Sequence, residues 1–422
     1  MRVLPARGQH PHQRAVKNFS GRKRRPIDAW QGALRVAKKL NLQVDQPASS
    51  AVSELESYVV ETALNFGEHH VVRATGKGLG YQAWASGIFE AFEHAAARGV
   101  MPGQSSQRIN AVLPASVLER RDLRYRFARR VMGDRVQPVT AFRWCGTQGE
   151  VLYPAVACDF SLQLTEAQSD LLFLDRMCTG KGYASGWTRR DAEIHALNEL
   201  IEHDAFSAYL LGSGVTAETP TSIDLEGHPL GEALVEKLRN LGADRIEVVL
   251  LPSVVGCVVL TWLEAPSGEA QVGLGCSHSI EVALIRSLTE AHQELAADSK
   301  GVSWLDEGGI ALEHLEKYPE LRARAEPKCP DPRAKVSLSN LMNKDRFGSE
   351  HLGKELVARG HPYLARQVWA APREVGNLCV MQVVAPTLER FADIVFGFPV
   401  IPTGRLYSAK LTKALTRREL NG

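Results

Sequence analysis

Two stretches of the chain echo one another: Thr75-Gly-Lys-Gly78 followed by Ser86-Gly-Ile-Phe-Glu90-Ala-Phe-Glu93-His94, and Thr179-Gly-Lys-Gly182 followed by Glu199-Leu-Ile-Glu202-His203. A repeated Gly-containing turn ahead of a repeated E-x-x-E-H reads as two copies of one unit. On the first predicted helix Ser86, Glu90 and Glu93 stand at i, i+4 and i+7, while Ile88, Phe89 and Phe92 turn the other way. On the second, Asp191, His195, Glu199 and Glu202 share a face, and Ile194, Leu197 and Ile201 form another. A looser third copy begins at Gly273-Leu-Gly275-Cys-Ser277. It carries Arg286, Glu290 and Gln293 at the same spacing, with Leu284, Leu288 and Leu295 as its apolar side.

One E-x-x-E pair on a helix is ordinarily a solvated surface. Three stripes behind three Gly turns point instead to convergence on one cavity, where like charges repel unless they are protonated or bridged by cations. Hard divalent ions with oxygen ligands answer that repulsion, and Mg2+ typically brings phosphate with it. Other phosphate and hydrolase signatures are missing: the chain holds no G-x-x-x-x-G-K-[ST], no H-E-x-x-H and no G-x-S-x-G. Paired carboxylates also serve glycosidases, but two such pairs with an arginine suit metal–phosphate chemistry better.

These residues resemble the YcaO family of ATP-dependent enzymes. The family's S-x-x-x-E-x-x-E-R is similar to Ser86–His94, its E-x-x-E-R-D-A to Glu199-Leu-Ile-Glu202-His203-Asp-Ala205, and its A-L-x-R-A-L-T-E-x-x-Q to Ala283-Leu-Ile-Arg286-Ser-Leu-Thr-Glu290-Ala-His-Gln293. A late Val383-Val-Ala-Pro386-Thr-Leu-Glu389 adds weaker support, and the likeness runs from about residue 70 to 390. The resemblance implies ATP bound with Mg2+ and phosphorylation of a peptide backbone amide oxygen. Loss of phosphate then leaves a thioamide, an azoline or a related group in a ribosomally made peptide or protein. By position it assigns Glu90, Glu93, Glu199, Glu202 and Glu290 to Mg2+, and Ser86, Asp191, Arg286 and Gln293 to the nucleotide. Gly21-Arg22-Lys23 resembles an early glycine followed by a phosphate-touching cation, which nominates Lys23 ahead of Arg22. No individual catalytic residue is assigned.

The chain departs from the family pattern at several points. His94 and His203 stand where the family carries arginine, exchanging a permanent charge and a bidentate fork for a titratable ring. Protonation of either ring, favoured by carboxylates and triphosphate, is expected to raise its pKa; the plainer alternative is two neutral rings that hold helix ends. The family's S-N-G-L-A-x-G-N-T reads Gly180-Lys-Gly-Tyr-Ala-Ser-Gly-Trp-Thr188, so Lys181 and Trp187 replace asparagines, and Lys181 is expected to contact phosphate. The C-terminal sequence Leu411–Gly422 has no P-x-P-x-P, which tilts the expectation from azoline toward thioamide. The resemblance also implies a separate partner protein for substrate recognition or sulfur delivery and allows a homodimer. Two other roles compete: a nucleotide-binding scaffold that has lost turnover, and an auxiliary factor in protein methylthiolation.

Composition bounds the rest. The 422 residues carry 44% hydrophobic and 23% charged side chains, the balance of a globular chain, and a net charge of +2, too even for a protein that coats nucleic acid. The charge asymmetry is local: residues 1–27 hold eight lysines and arginines and no acid before Asp28, forming a basic arm. Seven cysteines without a C-x-x-C suggest neither a zinc ribbon nor a disulfide framework, which fits reduced cytoplasm. No apolar run reaches the length of a membrane span, so neither membrane nor nucleic acid is an expected partner. Candidate strands are 151–160, 246–251, 254–262, 270–274 and 378–386, and Pro327–Leu341 reads as a connection. Asp28 is the expected cap of a helix carrying Trp30, Leu34 and Ala37, and His69-His70 reads as exposed polar surface. The expected organisation is a basic arm and helical segment over 1–64 and an α+β domain, of mixed sheets and helices with the internal repeat, over 65–422.

Overall fold

A computed structural model describes residues 24–49, 52–67, 70–114, 136–146, 149–159, 162, 180–212, 219–298, 315–342, 352–397, 400 and 402. In chain order the first elements are α1 (Pro26–Lys39), β1 (Gln43–Asp45), β2 (Ser57–Asn65), β3 (Val71–Leu79), α2 (Tyr81–Ala97), β4 (Ile109–Pro114), β5 (Val136–Gly146) and β6 (Gly149–Pro154). Next come β7 (Tyr183–Gly186), α3 (Arg189–Leu211), β8 (Thr221–Asp224), α4 (Pro229–Asn240), β9 (Ile246–Leu251), β10 (Cys257–Glu264), β11 (Ala270–Ser277) and α5 (Ile280–Asp298). The last are α6 (Pro319–Ala325), β12 (Ala334–Ser337), α7 (Leu338–Met342), α8 (Leu352–Ala358), β13 (Leu364–Ala370) and β14 (Cys379–Val384).

Among the described residues the strands make three sheets: β1-β2-β3, β11-β10-β9-β8-β12, and β4-β5-β13-β14-β7 with β6 on the flank of β5. Helices and sheets that are antiparallel except for the β8–β12 pair give the α+β class expected. Each sheet carries one of the acidic helices. α2 follows β3 and packs on β2 and β3, α3 follows β7 and packs on β7 and β14, and α5 follows β11 and packs on β10 and β11. The apolar faces read from the sequence are buried at Ile88, Phe89 and Phe92 on α2, at Leu197 and Ile201 on α3, where Ile194 is only half-buried, and at Leu284, Leu288 and Leu295 on α5.

Close approach of helix to strand explains the glycines. A Cβ built on Gly76 would fall well inside contact distance of the Ala83 carbonyl and the Gly87 amide, and one on Gly275 would collide with the Ala283 carbonyl and the Ser287 amide. The segments Thr75–Gly78 and Gly273–Ser277, expected as turns, are therefore strand, their glycines clearing room for the returning helix. In the second copy Gly182, at φ +85°, does sit in a turn, while Thr179 lies outside the described residues.

Other expectations are adjusted in detail. The strand beginning near 151 ends at Pro154 in a 3-10 turn over Ala155–Ala157, since proline cannot donate to the ladder. The 327–341 stretch holds β12 and α7; β12 is a half-exposed edge strand running parallel to β8, too short and polar to show an apolar pattern. In α1, Arg25 takes the N-cap position and Pro26 the first turn, while Asp28 pairs with the Arg25 side chain at 2.7 Å instead of capping. The division between residues 64 and 65 falls inside β2, and α1 shares a buried cluster with α2 through Val36, Leu64 and Phe89. The basic residues up to Lys23, together with His69, lie outside the described residues. Among the described residues no helix is long and apolar enough to cross a membrane.

Gly275→Ala, on this packing, lowers the melting midpoint by about 5 °C or more, because the added methyl must push helix backbone off the sheet. The exposed Lys354→Ala, measured in the same thermal scan, leaves the midpoint within about 1 °C.

Candidate functional site

The three acidic faces meet. Ser86, Glu90 and Glu93 from α2, His195, Glu199, Glu202 and His203 from α3, and Arg286, Glu290 and Gln293 from α5 all line one cavity of about 1160 Å3. Lys181, from the turn ahead of β7, and Lys77, from β3, complete its charged wall. Of the residues expected from sequence, Asp191 is not brought to this wall. It lies in the first turn of α3, where its amide donates to the capping Thr188 hydroxyl at 3.0 Å, and His195 is the nearest residue of that helix face to reach the cavity. Lys23 lies outside the described residues, but Pro26, just beyond it, lines the cavity.

The carboxylates are held by different means. Glu93 accepts from the Ser185 amide at 2.7 Å and from the Ser185 hydroxyl at 2.9 Å, and Glu199 accepts from the Gly182 amide at 2.8 Å. Glu290 pairs with the Lys77 ammonium at 2.5 Å, and Glu199 is 3.6 Å from that of Lys181. Even so, negative charge is in excess. Burial, reinforced by Glu90 and Glu199, pushes the Glu93 carboxyl up to about 8 despite the Ser185 bonds. Burial and the charge of Glu290 push Glu202 up to about 7, and burial also raises Glu90. Burial works against the two ammonium groups, yet Glu290 holds Lys77 and Glu199 holds Lys181 above the ordinary lysine range.

The histidines divide. His203 is buried, and desolvation together with repulsion from Lys181 and Lys77 drives its pKa well below the ordinary value. Of the two readings offered by the sequence, the raised pKa is corrected there in favour of the neutral ring: burial first, and then the charges of Lys181 and Lys77, disfavour its protonation. His94 is half-exposed, with Nδ1 3.1 Å from the Arg73 carbonyl and Nε2 3.9 Å from Glu90. Trp187 is likewise no part of the cavity wall. It lies buried under α1, in T-shaped contact with Phe89, with the Arg24 guanidinium 4.5 Å above its ring and with Gly32 leaving the space it fills.

Two observations test what the cavity suits. The Gln293 side chain is buried, its Oε1 has no hydrogen-bond partner, and its amide nitrogen reaches only the Thr75 carbonyl at 3.4 Å. A buried amide left so is matched to a polar ligand. The carboxylates of the wall are oxygen donors, which suit hard divalent cations, and the wall also carries a guanidinium and two ammonium groups, which suit phosphate. The residues fit Mg2+ and a phosphorylated ligand by donor type. As they stand, no three His, Cys, Asp or Glu side chains among the described residues are close enough to hold an ion together. Lysine ammonium groups stand among the carboxylates instead. Lys77 is the wall residue that sequence reasoning left without a role, although its place in G-K-G matches that of Lys181.

A family model described as YcaO cyclodehydratase, ATP- and Mg2+-binding, matches residues 75–389. No curated protein matches the sequence. Among solved structures the chain is similar to YcaO from Methanopyrus kandleri bound with AMPPCP and Mg2+, at 18% identity and a TM-score of 0.61, over 90% of this chain and 96% of that one. It is also similar to a heterocyclase in complex with substrate and cofactor, at 16% identity and a TM-score of 0.61, over 87% of this chain and 53% of the other. The E. coli microcin synthetase McbBCD complex with pro-MccB17 bound is similar at 15% identity and a TM-score of 0.55, over 82% and 88%. At such identities the structural likeness speaks for the fold.

The raised carboxyls tie stability to pH. A folded-state pKa above the unfolded value near 4.3 means that the folded protein keeps a proton the unfolded chain releases. That contribution is intact below about pH 4 and is lost as pH climbs through about 7 to 8. Glu93→Gln, whose amide oxygen still accepts from Ser185, and Glu202→Gln therefore each stabilise the metal-free protein by about 1–3 kcal/mol at about pH 8 and by little at about pH 5. Melting curves at the two pH values, without divalent ions, measure the difference.

Proposed function

The chain belongs to the YcaO family, and on that premise we propose that it is an ATP- and Mg2+-dependent enzyme that activates a peptide backbone amide. The observation that carries this reading is the convergence of Glu90, Glu93, Glu199, Glu202, Glu290, Arg286 and Gln293, from three strand–helix pairs on three sheets, upon one cavity. The description of the family as ATP- and Mg2+-binding supports it, as does the AMPPCP and Mg2+ held by the Methanopyrus kandleri protein. A peptide substrate and a separate partner protein are supported by the McbBCD complex, which holds pro-MccB17.

An amide is a poor electrophile with a poor leaving group, and the proposed reaction corrects the second fault. A nucleophile adds to the amide carbon, the amide oxygen takes the γ-phosphoryl group of ATP with release of ADP, and the carbon–oxygen bond then breaks with the oxygen leaving as phosphate. A neighbouring side-chain nucleophile gives an azoline; sulfide delivered by a partner gives a thioamide. Mg2+, when bound, offsets the charge of the triphosphate and joins it to the protein.

Glu90, Glu93, Glu199, Glu202 and Glu290 are the residues that would hold the metal. Arg286 is held in place by the Cys276 carbonyl, to which its Nη1 donates at 3.2 Å, and by His195, whose Nδ1 is 3.5 Å from its Nη2, and it offers its guanidinium charge to phosphate. Ser86 and Gln293 supply neutral hydrogen bonds to the nucleotide, Gln293 through the oxygen that has no protein partner. Lys181 adds a second cation for the phosphates.

Calorimetry with AMPPCP tests the binding half: affinity is lost in excess EDTA and restored by Mg2+. Phosphate release in the presence of a substrate peptide and partner protein tests the chemistry. Glu199→Gln and Glu202→Gln cut that release by about a hundredfold or more while the melting curve stays cooperative. Unaltered turnover in both would remove α3 from the site, and nucleotide binding without turnover under any pairing of peptide and partner would leave a nucleotide-binding scaffold.

A further inference from the structure

Two of the five glutamates assigned to metal are already engaged by lysines. Lys77 reaches from β3 to Glu290 on α5 at 2.5 Å, and Lys181 reaches from the turn before β7 to Glu199 on α3 at 3.6 Å. These are the middle residues of the two G-K-G segments, so two of the three strand–helix units place a cation over a carboxylate of the shared cavity. Both side chains keep about a third of their surface exposed, 30% for Lys77 and 31% for Lys181, and both line the cavity.

The acceptor of the second pair is held independently of its donor. The other oxygen of Glu199 is tied to the Gly182 amide at 2.8 Å, so the carboxylate holds its place without the lysine. Lys181 has further anions within electrostatic reach, Asp393, Glu290 and Glu202, and its ammonium is 5.7 Å from the Phe396 ring. Lys77 likewise faces Glu90 and Glu202 beyond its partner. An ammonium and a divalent ion on the same carboxylate oxygens stand a few ångströms apart and repel strongly in a half-buried site. One of them must leave.

We propose that Lys77 and Lys181 are exchangeable counter-ions, which neutralise Glu290 and Glu199 while the site is empty and turn from carboxylate to phosphate when a metal–nucleotide complex enters. The proposal rests on the nucleotide reading above and adds a linkage to it. The lysines oppose metal that arrives alone and favour metal that arrives with a triphosphate, because only then is there a second anion to receive them. No covalent step is involved.

The test is a pair of titrations on the full chain with Lys77→Met and Lys181→Met, followed by calorimetry: MgCl2 alone, and AMPPCP in saturating MgCl2. Removing a lysine strengthens binding of Mg2+ alone by about tenfold or more and weakens binding of AMPPCP by a similar factor, since one charge is lost at each place in turn. A lysine that serves only to hold the fold gives changes of one sign or none, and that result overturns the exchange. Lys77→Gln and Lys181→Gln replace either methionine variant that fails to melt cooperatively. Wild-type protein that binds neither MgCl2 nor AMPPCP overturns the nucleotide reading, and the exchange falls with it.

Discussion

Carboxylates gathered around one half-buried space repel, and much of this molecule is arranged to withstand that repulsion. Glu90, Glu93, Glu199, Glu202 and Glu290 share a cavity, and the helices that carry them are kept there by their opposite faces, where Phe89, Phe92, Leu197, Ile201, Leu284 and Leu288 are buried against three different sheets. Apolar burial is insensitive to the charge state of the cavity, so it can hold the acidic faces together whether or not anything neutralises them. Local relief comes from backbone and side-chain donors at Ser185 and Gly182 and from the ammonium groups of Lys77 and Lys181. What remains is expressed as protons retained on Glu93 and Glu202. A site in this condition is disposed toward cations.

Much of this was legible in the sequence, and the boundary of legibility has a physical origin. Helical periodicity assigns residues to a face, so the acidic stripes of α2, α3 and α5 and their apolar reverses could be read directly. Periodicity says nothing of how far along the axis a cavity extends. Asp191 shares its face with Glu199 but stands eight residues earlier, roughly 12 Å along the helix, and falls short of the cavity. The glycines of Thr75–Gly78 and Gly273–Ser277 carried the opposite difficulty. Their composition is that of a turn, and only the helix folding back on the strand reveals that at Gly76, Gly273 and Gly275 the missing side chain is what they supply, while Gly78, at φ +141°, supplies backbone freedom as well.

The positions that depart from the family pattern divide along similar lines. Trp187, in place of an asparagine, is turned away from the cavity and serves the docking of α1, whose Gly32 admits the ring. His203 faces the cavity as a neutral imidazole, because the neighbouring ammonium groups and its own burial forbid the charge that an arginine would have kept. Positive charge is supplied here by the strand and turn that precede such helices, where Lys77 and Lys181 stand. Those shifts depend on distances between segments a hundred or more residues apart, which no local pattern encodes.

The order of strands in the largest sheet has a consequence for synthesis. β7, which leads into α3, gains its hydrogen-bonded neighbour from β14, with Cys379 opposite Gly186 and Gln382 opposite Tyr183. The Glu389 amide then donates to Asp204 on the same helix at 2.7 Å, and the Ala392 amide to Ser207. The middle acidic helix is therefore translated nearly two hundred residues before the strand and turn that seat it. On the ribosome, which releases chains at about 5–20 residues per second, that helix waits on the order of ten seconds or more for β14 and the turn after it. The nascent protein therefore has its middle acidic helix well before it has the strand and turn that fix where that helix sits.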